Sequence, residues 1–252
     1  LGMFVMISGN NFLVLYLGLE LLTLSSYALV ALRRDNGVAT EAAMKYFVLG
    51  AIASGLLLYG MSMVYGATGS LQFDAIYAAS VTTSSPMLFK LGVVFIVAGV
   101  AFKFGAAPFH MWLPDVYQGA PTAVTAYIAS APKMAAFAMA YRLLESVAGN
   151  SMADWVPLIA ILSALSLVLG NLMALVQSSF KRLLAYSTIS HVGFLFLGLL
   201  SADASGYAAA MFYAISYAIT AVAAFGSLIL LSHAGYDADD IDGFRGLWVW
   251  HP

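Results

Sequence analysis

Charged residues are scarce in this chain. Lys and Arg number 10 and Asp and Glu 12 among 252 residues, whereas a soluble domain of this length carries about 63 charged residues. Hydrophobic residues make up 62% of the chain. A solvated globule is excluded because too few charges are available to cover its surface. Disorder is excluded as well, because unfolded chains combine high charge with low hydrophobicity. The composition predicts a polytopic membrane protein.

Cysteine is absent altogether, which excludes disulfides, thiolate metal sites and cysteine nucleophiles. With a net charge of −2 and no basic patch, nothing supports binding to nucleic acid. Glycine-rich nucleotide-binding motifs are also missing, as are histidine pairs at metal-ligand or haem-ligand spacing. The chain begins at Leu1 without a basic leader segment and stops within a polar connection at Pro252. We interpret it as part of a longer protein.

Apolar stretches long enough to cross a bilayer, about 20 residues each, occur seven times. We predict membrane spans at 12–32, 40–65, 86–118, 121–144, 155–175, 182–200 and 208–232. Residues 70–85 are weakly amphipathic and should lie at the membrane interface. Glycines within the spans, such as Gly50, Gly55 and Gly92, predict close helix packing. The acidic segment 237–242 predicts a solvated tail. The predicted fold class is an all-α polytopic membrane protein with about seven transmembrane helices.

The basic residues divide unequally between the two ends of these spans. If successive spans cross the membrane in alternating directions, six basic residues lie at the same end: Arg33, Arg34, Lys45, Lys181, Arg182 and Arg245. The opposite end receives Arg142 and Lys90. Because cytoplasmic loops are enriched in Lys and Arg, the Arg33/Arg34 and Lys181/Arg182 loops are predicted to be cytoplasmic. Tryptophans near predicted span ends are interpreted as interfacial residues: Trp112, Trp155, Trp248 and Trp250.

The span 86–118 is interrupted at Gly105–Pro108. Proline lacks an amide donor and clashes with the preceding helical turn. Either the helix ends at Phe104, or one long span is broken near its middle, which would place Lys103 at mid-membrane. Broken helices recur at ion-handling sites in transporters.

Three charged residues lie deep within the predicted spans: Glu20, Lys103 and Lys133. Each costs about 2.5–3.5 kcal/mol at a helix centre if it is left unpaired. Glu20 could be a protonated carboxyl bonded to a neighbouring helix, but intramembrane lysines are available to pair with it. Lys103 could extend to the interface or face inward. Lys133 lies too deep for such an extension and is predicted to be buried and functional.

Protonation is the chemistry that such lysines offer. Burial disfavours the charged form of a lysine and a nearby carboxylate favours it, so a lysine under both influences can gain and lose a proton near neutral pH. His191 lies mid-span among hydroxyl residues and could be structural or part of a proton relay. Lys45 lies near the start of its span, where a surface role and a site role are equally open.

Four segments resemble the antiporter-like membrane subunits of bacterial respiratory complex I. They are 103–121 (KFGAAPFHMWLPDVYQGAP), 130–133 (SAPK), 17–21 (LGLEL) and 180–193 (FKRLLAYSTISHVG). The resemblance implies a fragment of a fourteen-helix fold with inverted five-helix repeats, each with one broken helix. It also implies an ion pair between Glu20 and Lys103, a central Lys133, a connecting His191 and a secondary Lys45.

The same resemblance implies a function. The chain would be a non-redox, proton-translocating subunit of an NADH:quinone oxidoreductase in the bacterial inner membrane, hence part of a translocase. It would bind no cofactor itself, because NADH, FMN, the iron–sulfur clusters and quinone would belong to other subunits. Its partners would be other membrane subunits of the complex, the lipid bilayer, and protons and water. Two alternatives stay open: a stand-alone cation/proton antiporter subunit, and a passive structural spacer.

Overall fold

Helices account for nearly all of the regular structure. The computed structural model describes residues 1–232 and 239–246. Within that part of the chain the only β-type pairings are two isolated bridges. The α-helices are α1 (Gly2–Ser8), α2 (Phe12–Val30), α3 (Gly37–Thr68), α4 (Phe73–Ser80), α5 (Pro86–Phe104), α6 (Trp112–Gly119), α7 (Thr122–Ala129), α8 (Ala131–Tyr141), α9 (Met152–Ala174), α10 (Phe180–Leu200) and α11 (Ala204–Leu231).

Six helices are long and apolar enough to cross a membrane: α2, α3, α5, α9, α10 and α11. They correspond to six of the seven predicted spans. The seventh, 121–144, is not one continuous helix, because α7 and α8 are separated at Ser130, whose φ and ψ are −112° and −97°. Pro132 explains the separation, since a proline removes one helical hydrogen bond and its ring clashes with the carbonyl four residues earlier. This second break was not among the predicted features of the chain.

The predicted break in the span 86–118 is confirmed. Helix α5 ends at Phe104, and Gly105 follows with a φ of +76°, a left-handed conformation that glycine adopts readily. A turn segment then leads into α6 at Trp112. Because α6 is largely buried, the polypeptide continues through the protein interior after α5 instead of leaving it. This arrangement matches the long, broken span.

Ion pairs collect at two opposite ends of the helices. At the first, which we call the Lys45 end, Lys45 of α3 and Arg182 of α10 both contact Asp115 of α6 at 2.7 Å. At the other, the Lys90 end, Lys90 of α5 contacts Asp154 of α9 at 2.9 Å. The structure therefore agrees with the threading that placed Lys45 and Arg182 on the same side and Lys90 on the other.

The tryptophans that the structure describes, Trp112 and Trp155, are buried within the protein, although Trp155 lies in the first turn of α9, at the span end where it was predicted. Trp112 is 2% exposed and Trp155 is fully buried. Their indole N–H groups donate to the backbone oxygens of Phe102 and Ala148. Internal carbonyl partners satisfy the polar edge of each ring, which removes the need for contact with the headgroup region. Trp248 and Trp250 lie outside the described residues.

The acidic segment is only partly a solvated tail. Asp239 accepts hydrogen bonds from the Ser179 hydroxyl at 2.7 Å and the Lys181 amide at 3.0 Å. Its carboxylate thus sits at the first turn of α10, where unpaired amides favour a negative charge. Asp242 is exposed and pairs with Arg245, as expected for a solvated residue. Asp237 lies outside the described residues.

Close packing of α3 against α5 depends on glycine. A Cβ atom added at Gly60 would lie 2.7 Å from the Gly92 oxygen, and one added at Gly92 would lie 2.8 Å from the Gly60 oxygen. The prediction of close packing is confirmed for Gly92, and for Gly50, which lies against the Tyr27 hydroxyl. Apart from its own helix, no described residue lies within 4 Å of a Cβ added at Gly55, so close packing at that position stays a prediction.

Gly60 and Gly55 offer a matched pair of substitutions within one helix. Gly60→Ala should destabilise the protein by about 1–3 kcal/mol, because the new methyl group meets backbone atoms that cannot rotate away. Gly55→Ala should be neutral or stabilise by up to about 1 kcal/mol through helix propensity. Thermal melts of the full-length protein in detergent would measure both. Equal melting temperatures for the two variants would contradict a packing role for Gly60.

Candidate functional site

Glu20 lies at the middle of α2 and faces α3. The Ser54 hydroxyl, from the middle of α3, donates a hydrogen bond to the Glu20 carboxylate. Ser54 also lies 3.4 Å from the Tyr16 hydroxyl, one turn before Glu20. The polar stripe that the 3.6-residue period creates on α2 therefore meets a polar position on its neighbour. A carboxylate held between two membrane helices is in place to respond to nearby charge.

Lys103 lies one residue before the end of α5. Its ammonium group donates to the Thr23 hydroxyl at 3.0 Å, and Thr23 follows Glu20 by less than one turn on α2. An interior hydroxyl therefore holds the lysine, which excludes its extension to the interface. Among residues 1–232 and 239–246, no nitrogen–oxygen contact of 4.0 Å or less joins Lys103 to Glu20. The ion pair of these two residues stays a prediction.

A small cavity adjoins Lys103. It is lined by Thr23, Ser54, Lys103 and Trp112 together with apolar residues, and it leaves about 20 Å³ for the centre of a water-sized sphere. About 10–15 Å³ suffices for one water molecule, provided that polar partners are present. Two hydroxyls and an ammonium group supply those partners. The cavity is suited to connect the Glu20 side of the site with Trp112.

Lys133 lies on α8, three residues after the break at Ser130. It is 5% exposed, and its ammonium group donates to the backbone oxygen of Phe104. Phe104 ends α5, so its carbonyl has no partner within its own helix and carries the negative end of the helix dipole. The break in α5 thus creates the acceptor that holds the buried lysine, which confirms the predicted burial.

Trp112 lies beside both Lys103 and Lys133. The Lys133 ammonium lies 5.5 Å from the centre of the Trp112 ring, within range of a cation–π interaction. The same ring lines the Lys103 cavity and stacks on Tyr46 at 4.7 Å. Sequence reasoning missed this role because it assigned Trp112 to the membrane interface. The available signal was its position eight residues beyond Phe104, inside the broken span.

His191 lies at the middle of α10, on the far side of Lys133. Its Nδ1 atom lies 2.6 Å from the Tyr213 hydroxyl, and its ring centre lies 5.0 Å from that of Tyr217. A second cavity is lined by Lys133, His191, Tyr213 and Tyr217, with about 10 Å³ for the centre of a water-sized sphere. The structure therefore brings His191 and Lys133 to one interior space, as the relay hypothesis requires.

Lys45 occupies a different place. Its side chain is 43% exposed and contacts Glu41 and Asp115, each at 2.7 Å. Along α3 it lies nine residues from Ser54, or roughly 13 Å. Lys45 is therefore not part of the interior row formed by Lys103, Lys133 and His191, and its secondary role stays a prediction. Sequence reasoning missed Asp115 as the partner that Lys45 shares with Arg182, although an aspartate within an aromatic segment was a usable signal.

These features define a class: a multi-pass, all-helical membrane protein with two broken helices, whose buried ionisable residues line internal cavities. The chain belongs to the family described as NADH:quinone oxidoreductase/Mrp antiporter, TM, whose model matches residues 9–252.

Known proteins resemble the chain over its whole length. "NADH-quinone oxidoreductase subunit N" of Xanthomonas euvesicatoria pv. vesicatoria is 60% identical, over 100% of this chain and 52% of the relative. A chain of respiratory complex I from Thermus thermophilus, solved with bound aureothin, is 40% identical with a TM-score of 0.83, over 100% of this chain and 53% of its own.

A chain of the Mrp complex from Dietzia sp. DQ12-45-1b has a TM-score of 0.80 at 24% identity, covering 89% of this chain. That likeness shows the fold alone. The chain spans about half the length of the curated relatives it matches.

Proposed function

We propose that this chain forms part of a proton-translocating membrane subunit of an NADH:quinone oxidoreductase. The observation that carries the proposal is an interior row of ionisable residues, in which Lys103 lines one cavity together with Trp112, and Lys133 and His191 line a second together with Phe104. Ionisable residues within a membrane are rare, because burying a charge in lipid is unfavourable in free energy. A row of them therefore indicates a functional site. The relatives named subunit N support the same conclusion.

In the proposed mechanism, the charge state of Glu20 controls the protonation of Lys103 and, through it, of Lys133. An ammonium group on Lys103 is favoured while the Glu20 carboxylate is charged and nearby, and a change at that carboxylate lets Lys103 pass its proton to a water molecule in the adjoining cavity. The proton affinity of Lys133 then rises, because a neighbouring positive charge has been removed. A proton can next pass between Lys133 and His191 through their shared cavity, by way of a bound water molecule.

The chain is proposed to contribute no redox chemistry. NADH, FMN, iron–sulfur clusters and quinone would be bound by other subunits, and the energy of quinone reduction would reach this chain through neighbouring membrane subunits. We further propose that the protein lies in the bacterial inner membrane with the Lys45 end toward the cytoplasm. The excess of basic residues at that end supports this orientation.

Isolation of the full-length protein from its native membrane tests the proposal. A tagged copy should co-purify with an NADH-oxidising assembly, and vesicles that contain the assembly should accumulate protons when NADH and a quinone are supplied. The proposal would be contradicted if the protein were isolated without such an assembly and exchanged Na⁺ or K⁺ for protons unaided. That result would favour the stand-alone antiporter.

A further inference from the structure

Three hydroxyl groups that the proposed mechanism does not use lie between the Lys45 end and His191. They belong to Tyr117 of α6, Thr188 of α10 and Tyr217 of α11. Thr188 and Tyr117 are fully buried. Thr188 lies six residues, or roughly 9 Å, beyond Arg182 of the ion-pair cluster and one turn before His191.

Helices α10 and α11 are joined here by two parallel polar contacts. The Tyr217 hydroxyl donates to the Thr188 hydroxyl at 2.6 Å, and one turn further along the Tyr213 hydroxyl lies 2.6 Å from His191 Nδ1. Residues three apart on α10 and four apart on α11 share a face, so both contacts point into the same space. Tyr217 also lines the cavity that holds Lys133 and His191.

Tyr117 extends this series toward the Lys45 end. Its hydroxyl is buried and lies close to the Thr188 and Tyr217 hydroxyls, although it makes no hydrogen bond of good geometry within the described residues. Buried hydroxyls nearly always have partners, and one without a partner calls for an explanation. Asp115, two residues earlier on the same short helix, faces the ion-pair cluster instead. Helix α6 therefore presents one polar group to the surface cluster and another to the interior.

We propose that Tyr117, Thr188 and Tyr217 form a hydroxyl relay that delivers protons from the Lys45 end to His191 and Lys133. This inference rests on the proposed function. Each hydroxyl can both accept and donate a hydrogen bond. A proton arriving on one oxygen releases that group's own hydrogen to the next oxygen, and the last transfer protonates His191 or a water molecule beside Lys133. No hydroxyl changes its net protonation, and rotation of each O–H bond resets the relay.

Two substitutions at Thr188 separate a relay from a packing role. Thr188→Val keeps the shape and removes the hydroxyl, whereas Thr188→Ser keeps the hydroxyl and removes a methyl group. In the full complex reconstituted into vesicles, Thr188→Val should lower NADH-driven proton transfer through this subunit by about tenfold or more, and Thr188→Ser should recover most of that loss. If proton transfer were impaired in Thr188→Ser but normal in Thr188→Val, the role of Thr188 would be packing, and the relay would be overturned.

Tyr117→Phe provides a second, independent measurement. A phenylalanine removes a buried hydroxyl that makes no hydrogen bond of good geometry within the described residues, so the thermal stability of the complex should change little, while proton transfer falls. Tyr59→Phe, at a tyrosine that is 53% exposed, is the matched control and should alter neither. Normal proton transfer in Tyr117→Phe would remove this residue from the relay.

Comparison with Lys133→Met separates the relay from the proposed function. If Lys133→Met abolishes proton transfer while Thr188→Val, Tyr217→Phe and Tyr117→Phe all pump normally, the relay is wrong and the function stands. If Lys133→Met also pumps normally, both are wrong. A larger slowing in D₂O for Thr188→Val than for the parent complex would support the relay, because a purely structural defect leaves the solvent isotope effect unchanged.

Discussion

Replacing Lys133 with methionine is expected to lower proton transfer through this subunit by about 100-fold or more, the usual contribution of a well-positioned proton-transfer group. Methionine fills a similar volume but cannot carry a proton or donate to the Phe104 carbonyl. NADH-driven acidification of vesicles that contain the assembled complex measures the effect. The amount of complex recovered from the membrane reports on assembly in the same preparation.

Lys90→Met is the control for this substitution. Lys90 is also a lysine on a membrane helix, but it is 52% exposed and pairs with Asp154 at the opposite end from Lys45. An exposed pair contributes about 1 kcal/mol or less, so assembly and pumping should both continue. If the Lys133 and Lys90 variants pumped equally well, Lys133 would be a structural residue and the chain a passive spacer.

Glu20→Gln should have the second largest effect, a loss of about tenfold or more in proton transfer. The amide keeps an oxygen that can accept from Ser54, so the contact between α2 and α3 is retained. Only the negative charge disappears, so Lys103 would lose the counter-charge that the proposed pair supplies, at a cost of about 2.5–3.5 kcal/mol within a membrane. Pumping should therefore fall, and the assembled complex should become less stable.

Adding Lys103→Met to Glu20→Gln separates these two consequences. Stability should recover, because no buried charge is left without a partner, whereas pumping should stay low because both ends of the pair are gone. Glu41→Gln, at a carboxylate that is 65% exposed, should leave both properties near those of the parent complex. Wild-type pumping by Glu20→Gln would exclude the Glu20–Lys103 pair as the control element.

Of the two helix breaks, one could be predicted from the sequence and the other was missed. The break at Gly105–Pro108 was predicted, because a glycine and, three residues later, a proline interrupt an apolar run. The break at Ser130 was missed, although Pro132 gives the same physical signal. Apolar residues continue on both sides of Pro132, and a hydropathy pattern alone does not distinguish a straight helix from two short ones.

Sequence by itself determined the membrane class, the positions of six apolar spans and the presence of Glu20, Lys103, Lys133 and His191 within apolar stretches. Charges are so unfavourable in lipid that their placement along an apolar stretch is informative without any structure. The partners of those residues could be decided only by tertiary structure.

Lys133 meets the carbonyl of Phe104, 29 positions away, and Asp115 joins Lys45 to Arg182 across 70 and 67 positions. Such contacts depend on where the helices break and cross. The local sequence shows that a charged residue lies within an apolar stretch and is therefore costly to bury. The group that stabilises that charge comes from a distant part of the chain.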